Sequence, residues 1–269
     1  MKLDMNRAWT EALSLIQANI GVVATVAGVF FFLPYLAFAL LMPETANFAV
    51  EPNSDDPTAA FDQVMALYAD IWWIMLLLIV AQTVGTLALL ALLRADNRPT
   101  VGQAITVGAI GFLTSIAATI ILYIGGVLMG VAIASKITAL AVILGLLLFV
   151  AFIYLMVKFS LLAPVIAIDK VYNPLTALLR SWRLTKGNSV RLFFFYLLLF
   201  IALVVVSGVI GMIVMLVFGL MGEEVMLIGS GLINSAVNAV VIVLMLGVLA
   251  AVHRQLAGPS AESMGETFE

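Results

Sequence analysis

Six stretches of this chain, 20–42, 71–93, 110–134, 137–157, 192–220 and 228–252, are mostly apolar and hold no Lys, Arg, Asp or Glu. A helix needs about 20 mostly apolar residues to cross a bilayer, and each stretch meets that length. Hydrocarbon offers no hydrogen-bond partner, so a crossing segment must satisfy its own backbone, which a helix does. The pattern predicts an all-α membrane protein of six transmembrane helices forming a single integral membrane domain over 1–269. Composition agrees: 64% of the 269 residues are apolar and 10% charged, where a soluble domain carries about 25% charged residues. Mean hydropathy is +1.22.

The first stretch exceeds the roughly 7–15 residues of a signal-peptide core, so it is read as a retained span. No cysteine is present, which removes disulfides, thiolate metal sites and cysteine nucleophiles. The lack of ionisable residues inside the spans argues against a proton pump or ion channel, where such groups do the work.

The basic residues orient the chain. With the N-terminus inside, Lys2, Arg7, Arg94, Arg98, Lys158, Lys170, Arg180, Arg183, Lys186, Arg191 and Arg254 all fall on the inner side, and only Lys136 falls outside. The outer loop 43–70 is acidic, with Glu44, Glu51, Asp55, Asp56, Asp62 and Asp70, and Glu223 and Glu224 join it. Basic residues accumulate on cytoplasmic loops, so both termini are expected in the cytoplasm.

Shorter amphipathic pieces flank the spans. Residues 3–17 place Trp9, Leu13 and Ile16 on one face, which reads as an interfacial helix; a helical extension of the first span is the alternative. Residues 174–186 are better defined. Asn173 suits an N-cap and Pro174 the first helical position, while Leu175, Leu178, Leu179 and Trp182 recur at helical spacing and Gly187 suits the stop. A fainter copy follows Pro99. Aligning Asn19 with Asn188 also aligns Leu13 with Trp182 and Leu15 with Leu184, suggesting a three-fold repeat of surface helix plus helical hairpin.

The run from Leu162 to Asn188, with Ala177, Arg180, Ser181, Leu184, Thr185 and Asn188 in an A-x-x-R-S-x-x-L-T-x-x-N pattern, resembles the YciC-like bacterial inner-membrane proteins. It is also similar to the membrane domain fused to some glycerophosphodiester phosphodiesterases. The resemblance implies a multi-pass protein of the bacterial cytoplasmic (inner) membrane. It does not carry the phosphodiesterase activity, which belongs to a separate soluble domain with paired histidines and metal-binding carboxylates. This chain has one histidine.

No phosphate-binding glycine loop or metal-ligand spacing is found, so no cofactor is expected. His253 adjoins Arg254 at the end of the last span and reads as a helix C-terminal cation. Ser230, Asn234 and Asn238 form a polar stripe on the sixth span, and Gln82, Thr83 and Thr86 a patch on the second. Interhelical hydrogen bonding is the structural reading, a polar path for a solute or lipid headgroup the functional one. Gly126 and Gly130 on the third span have small-xxx-small spacing, Gly208 and Gly211 are read as a bend in the fifth, and 159–168 reads as a kinked or interfacial continuation of the fourth.

The candidate lipid-surface residues are Lys170, Arg180, Trp182, Arg183, Lys186 and Arg191, whose charge attracts anionic headgroups at the cytoplasmic face; ordinary positive-inside topology accounts for the same residues. The sequence therefore points to a non-enzymatic, membrane-organising or accessory protein whose partners are membrane lipids rather than nucleic acid. A transporter or lipid-translocating protein with a polar path near the second and sixth spans is the alternative.

Overall fold

The computed structural model describes residues 2–41, 57–94, 100–133 and 138–258. Among them there is no strand, and six helices are long and apolar enough to cross a membrane. The expected six-span architecture is what the chain adopts.

Helix α1 (Met5–Ala18) begins at Asp4, whose side chain accepts from the Arg7 N–H, satisfying one of the orphan amides of a helix start. Asn19 breaks the helix, and the first span follows as α2 (Ile20–Ala27), a π-helical turn (Gly28–Phe32) and α3 (Leu33–Leu41). The wide turn has a local cause. Pro34 has no N–H and its ring crowds the carbonyl four residues earlier, and the preceding Leu33 N–H reaches back to Gly28 O. The bulge pushes Phe30 and Phe31 against the second span. A Cβ on Gly85 would lie 2.4 Å from Phe30 Cβ, so only glycine fits there.

The second span is the 36-residue α4 (Pro57–Leu92). Part of the expected outer loop is therefore helical, from Pro57 onward, while 42–56 lie outside the described residues. α5 (Val101–Ile133) forms the third span. Thr100 and Gln103 cap it reciprocally: Gln103 N–H donates to Thr100 Oγ1 and Thr100 N–H to Gln103 Oε1. That capping box leads straight into the span, so the stretch after Pro99 is not a separate surface helix. The surroundings of Gly126 and Gly130 lie outside the described side chains.

α6 (Thr138–Phe159) breaks at Ser160–Leu161 before the short α7 (Leu162–Ala167). Pro164 sits in the first turn of α7, where a missing N–H costs nothing. Leu162 and Pro164–Ala167 are buried, so this segment is enclosed by the bundle rather than lying at an interface. α8 (Pro174–Thr185) runs between the fourth and fifth spans. α9 (Ser189–Phe218) is a single 30-residue helix, uninterrupted at Gly208 and Gly211, and α10 (Glu223–Ala257) is the last span.

Half of the most apolar window of α10 is buried, against 11% for α9, which makes α10 the central helix and α9 a peripheral one. α10 packs against α1, α3, α4 and α9. Among the described residues the core concentrates at the end of the bundle that carries the basic residues, around Leu87–Leu93, Val165, Ile166, Ala177 and Ala250.

Candidate functional site

The basic end of the bundle is assembled from α1, the α6–α8 segment and the last turns of α10. Its organising atom is the carbonyl oxygen of Lys158. The last carbonyls of a helix have no partner within it, and α6 ends at Phe159. Ser181 Oγ donates to Lys158 O at 2.9 Å, and Thr185 Oγ1, one helical turn on, approaches it at 3.3 Å. Thr185 Oγ1 is also close to Ser181 O and Trp182 O, at 3.0 and 3.1 Å, so its single proton is shared. Ala177, a turn earlier, is fully enclosed. α8 thus docks through Ala177, Ser181 and Thr185, a narrow face of small side chains.

The apolar face expected for this helix, Leu175, Leu178, Leu179 and Trp182, is not the docked one. Leu178 alone of these is buried, while Leu175 is 60% and Leu179 58% exposed. The start and stop signals hold: Asn173 accepts from the Thr176 N–H, and Gly187 takes the left-handed conformation with φ +83°. α1 buries Ala8, Ala12, Leu15 and Ile16 and leaves Trp9, on the face expected at the interface, 38% exposed. The register that aligns Asn19 with Asn188 aligns Asp4 with Asn173, Ala8 with Ala177, Ala12 with Ser181 and Ile16 with Thr185. Both surface helices therefore share a cap position and a buried face.

A second anchor is Asp169, in the turn between α7 and α8. Its Oδ2 receives Arg180 Nε at 2.6 Å and lies 3.0 Å from His253 Nε2. Partial burial pushes the carboxyl pKa up, but hydrogen bonds from His253 and Arg180, with their charges, outweigh it and hold the pKa below the ordinary value. An ionised carboxylate only accepts, so Nε2 of His253 carries the proton of this bond. His253 is buried within α10, four residues before its end. It ties the last span to Asp169, a contact that its position beside Arg254 did not suggest.

The chain's N-terminal segment closes the end. Leu3 N–H donates to Asn188 Oδ1 at 2.9 Å, and Arg191 Nη1 donates to Leu3 O at 3.4 Å. Asp4 and Gln255 exchange hydrogen bonds of 3.2 and 3.3 Å, and Arg254 Nε lies 3.1 Å from Glu11 Oε1. Arg180, Ser181, Thr185 and Asn188 thus each hold one piece of the end to another.

Lys158 has a side chain as well as a carbonyl. The residue is only 3% exposed, and its Nζ lies 5.1 Å from the Trp182 ring centroid and 5.4 Å from that of Tyr154, within the range of a cation–π contact. Trp182 also packs on Phe159, centroids 5.6 Å apart. Among the described residues no carboxylate pairs with Lys158.

Of the expected lipid-surface residues, Lys170, Arg180, Arg183, Lys186 and Arg191 are exposed. Arg180 spends its Nε on Asp169, Arg191 reaches Leu3 O, and Trp182 is half-buried over Lys158. The polar intramembrane residues do not converge on an enclosed path. Gln82 and Asn234 are exposed at the bundle perimeter, and Thr86, Ser230 and Asn238 are half-buried. Ser230 Oγ bonds back to Leu227 O, and the neighbouring Gly231 packs beside Leu36 and Leu40 of α3. Lys158, Asp169 and His253 were missing from the expected site. The signal for Asp169 was present, as the only acid beside a run of basic residues.

Among the described residues no group of three or more His, Asp or Glu is placed to hold a metal ion. Six apolar spans closed at one end by a basic, hydrogen-bonded cap define a polytopic helical membrane protein. No family model, curated protein or solved structure matches the chain.

Proposed function

We propose that this is a non-enzymatic accessory protein of the bacterial cytoplasmic membrane, with its basic end toward the cytoplasm and seated on anionic lipid. One observation carries the reading. α8 docks through Ala177, Ser181 and Thr185, which leaves Leu175, Leu179, Arg183 and Lys186 outside the bundle. A helix fixed to a membrane protein with exposed leucines and exposed cations is suited to the headgroup level, where both find partners. The resemblance of 162–188 to inner-membrane proteins supports the location, and the excess of basic residues on that side supports the orientation.

The polar residues of the cap support a supporting rather than a chemical role. Asp169, His253, Arg180, Ser181 and Thr185 are occupied with one another or with backbone carbonyls. The test is purification of the full chain in native lipid, followed by quantification of the lipids that remain. Anionic phospholipid should be enriched over its share of the membrane, and enrichment should fall in Arg183→Gln/Lys186→Gln. Retained lipid of bulk composition would sink the reading. A cysteine at Lys186 reached by an impermeant reagent in intact cells, with one at Gly222 protected, would overturn the orientation.

A further inference from the structure

The geometry points to a binding site for one anionic phospholipid on the exposed face of α6, with the ammonium of Lys158 holding the phosphate. The inference rests on the proposed placement of the basic end at the headgroup level. Leu147, Val150, Tyr154 and Lys158 fall at i, i+3, i+7 and i+11 of α6, one face of the helix. Leu147, Val150 and Tyr154 are 60%, 58% and 46% exposed. An apolar strip therefore leads along the span to a single buried cation at its end. That is the layout of an acyl chain ending in a charged headgroup, and a free phosphate would have no use for the strip.

Charge complementarity specifies the headgroup. Arg180 and Arg254 are each matched by a carboxylate, Asp169 and Glu11. Lys158, Arg183 and Lys186 have no such match among the described residues. On α8, Leu179, Trp182 and Arg183 share one face, with Lys186 following at the C-cap, and Trp182 is the residue whose ring lies over Lys158 Nζ. Trp182 thus joins the buried cation to the two exposed ones. An ammonium set against two ring faces and no carboxylate keeps N–H donors to offer a ligand, and a phosphodiester supplies both the charge and the acceptor oxygens. A zwitterionic lipid would bring its own cation toward Arg183 and Lys186, so a net-anionic lipid is favoured.

The experiment is native mass spectrometry of the full chain in neutral detergent. The protein is titrated with phosphatidylglycerol, with phosphatidylcholine of the same acyl chains, and with glycerol 3-phosphate. Wild type should retain one phosphatidylglycerol about fivefold better than phosphatidylcholine, the factor expected for about one additional cation near the phosphate. Lys158→Met should lower that retention about fivefold and Lys158→Arg should restore part of it. Lys158→Met should not melt lower than wild type without lipid, because an apolar chain of similar size replaces an unmatched buried charge.

Equal retention of the two lipids by wild type would overturn the site, whatever the variants do. So would unchanged phosphatidylglycerol binding in Lys158→Met, or displacement of the lipid by equimolar glycerol 3-phosphate. If Lys158→Met changes nothing while Arg183→Gln/Lys186→Gln abolishes anionic enrichment, this site falls and the membrane-surface reading stands. If none of these variants changes enrichment, both fall.

Discussion

Nε2 of His253 and Oδ2 of Asp169 are 3.0 Å apart, joining the last span to the turn ahead of α8, and Arg180 closes on the same oxygen. The carboxyl is held below its ordinary value of 3.8, so its ionised form is favoured in the folded state. A group whose native pKa is depressed contributes stability that is complete above its unfolded pKa and is lost as pH falls through the native one. Wild type should therefore lose melting temperature in acid, starting near the ordinary carboxylate value and continuing below it. Asp169→Asn should melt lower at neutral pH and show a shallower acid limb. Thermal unfolding across pH in one detergent checks this, and parallel curves for the two proteins would refute it.

The Lys158 carbonyl serves two hydroxyls, which makes their contributions interdependent. Ser181→Ala should cost about 0.5–1.5 kcal/mol, the net worth of one hydrogen bond. Thr185→Val should cost less, because its proton is already divided among three acceptors. The double variant should cost more than the sum, since only it leaves the carbonyl without either partner. A double-mutant cycle on unfolding free energy measures the coupling; strict additivity would contradict the shared-acceptor arrangement.

Which face holds α8 can be decided by volume. Ala177→Leu places a bulky side chain where nothing is exposed, at a typical overpacking cost of about 1–3 kcal/mol. Hydrogen exchange of α8 should then accelerate. Leu175→Ser/Leu179→Ser alters only outward residues and should leave that exchange unchanged in detergent. Release of the helix by the serine pair would mean that the apolar face anchors it after all.

Two close approaches should respond differently to one added methyl. At Gly85 the obstacle is Phe30 Cβ, tied to the backbone, at 2.4 Å; at Gly247 it is Ile16 Cδ1, the far end of a flexible chain, at 2.7 Å. Gly85→Ala should be destabilising by about 1–3 kcal/mol. Gly247→Ala should be nearly neutral, as Ile16 can change rotamer. Comparable melting temperatures for the two variants would show that the π-turn yields.

The spans were legible because hydrocarbon imposes one requirement on every residue of a crossing segment, and a contiguous apolar run answers it. The caps of α8 were legible because Asn173, Pro174 and Gly187 act on their own neighbours. The docked faces of α1 and α8 were not. Helical periodicity identifies the largest apolar side chains, and in water these would be the buried ones. Beside a bilayer, Leu175 and Leu179 gain little by turning inward, and close contact favours Ala8, Ala12, Ala177 and Ser181 instead. Lys158 was read only as a marker of sidedness, since nothing local distinguishes a basic residue under Trp182 from one in water. Asp169 and His253 are far apart in sequence, and no spacing rule connects them.

The hydrogen bonds from Leu3 to Asn188 and from Asp4 to Gln255 set an order of events. Leu3 and Asp4 emerge during synthesis well before their partners at the start of α9 and the end of α10, and must wait for them. α1 cannot take its final place on α10 until α10 has been made and inserted, so completion of the basic cap reports arrival of the sixth span. Contacts of such long sequence separation form slowly. A nascent protein stalled before α10 would show quality-control factors an unseated α1, with Ala8, Ala12 and Ile16 uncovered.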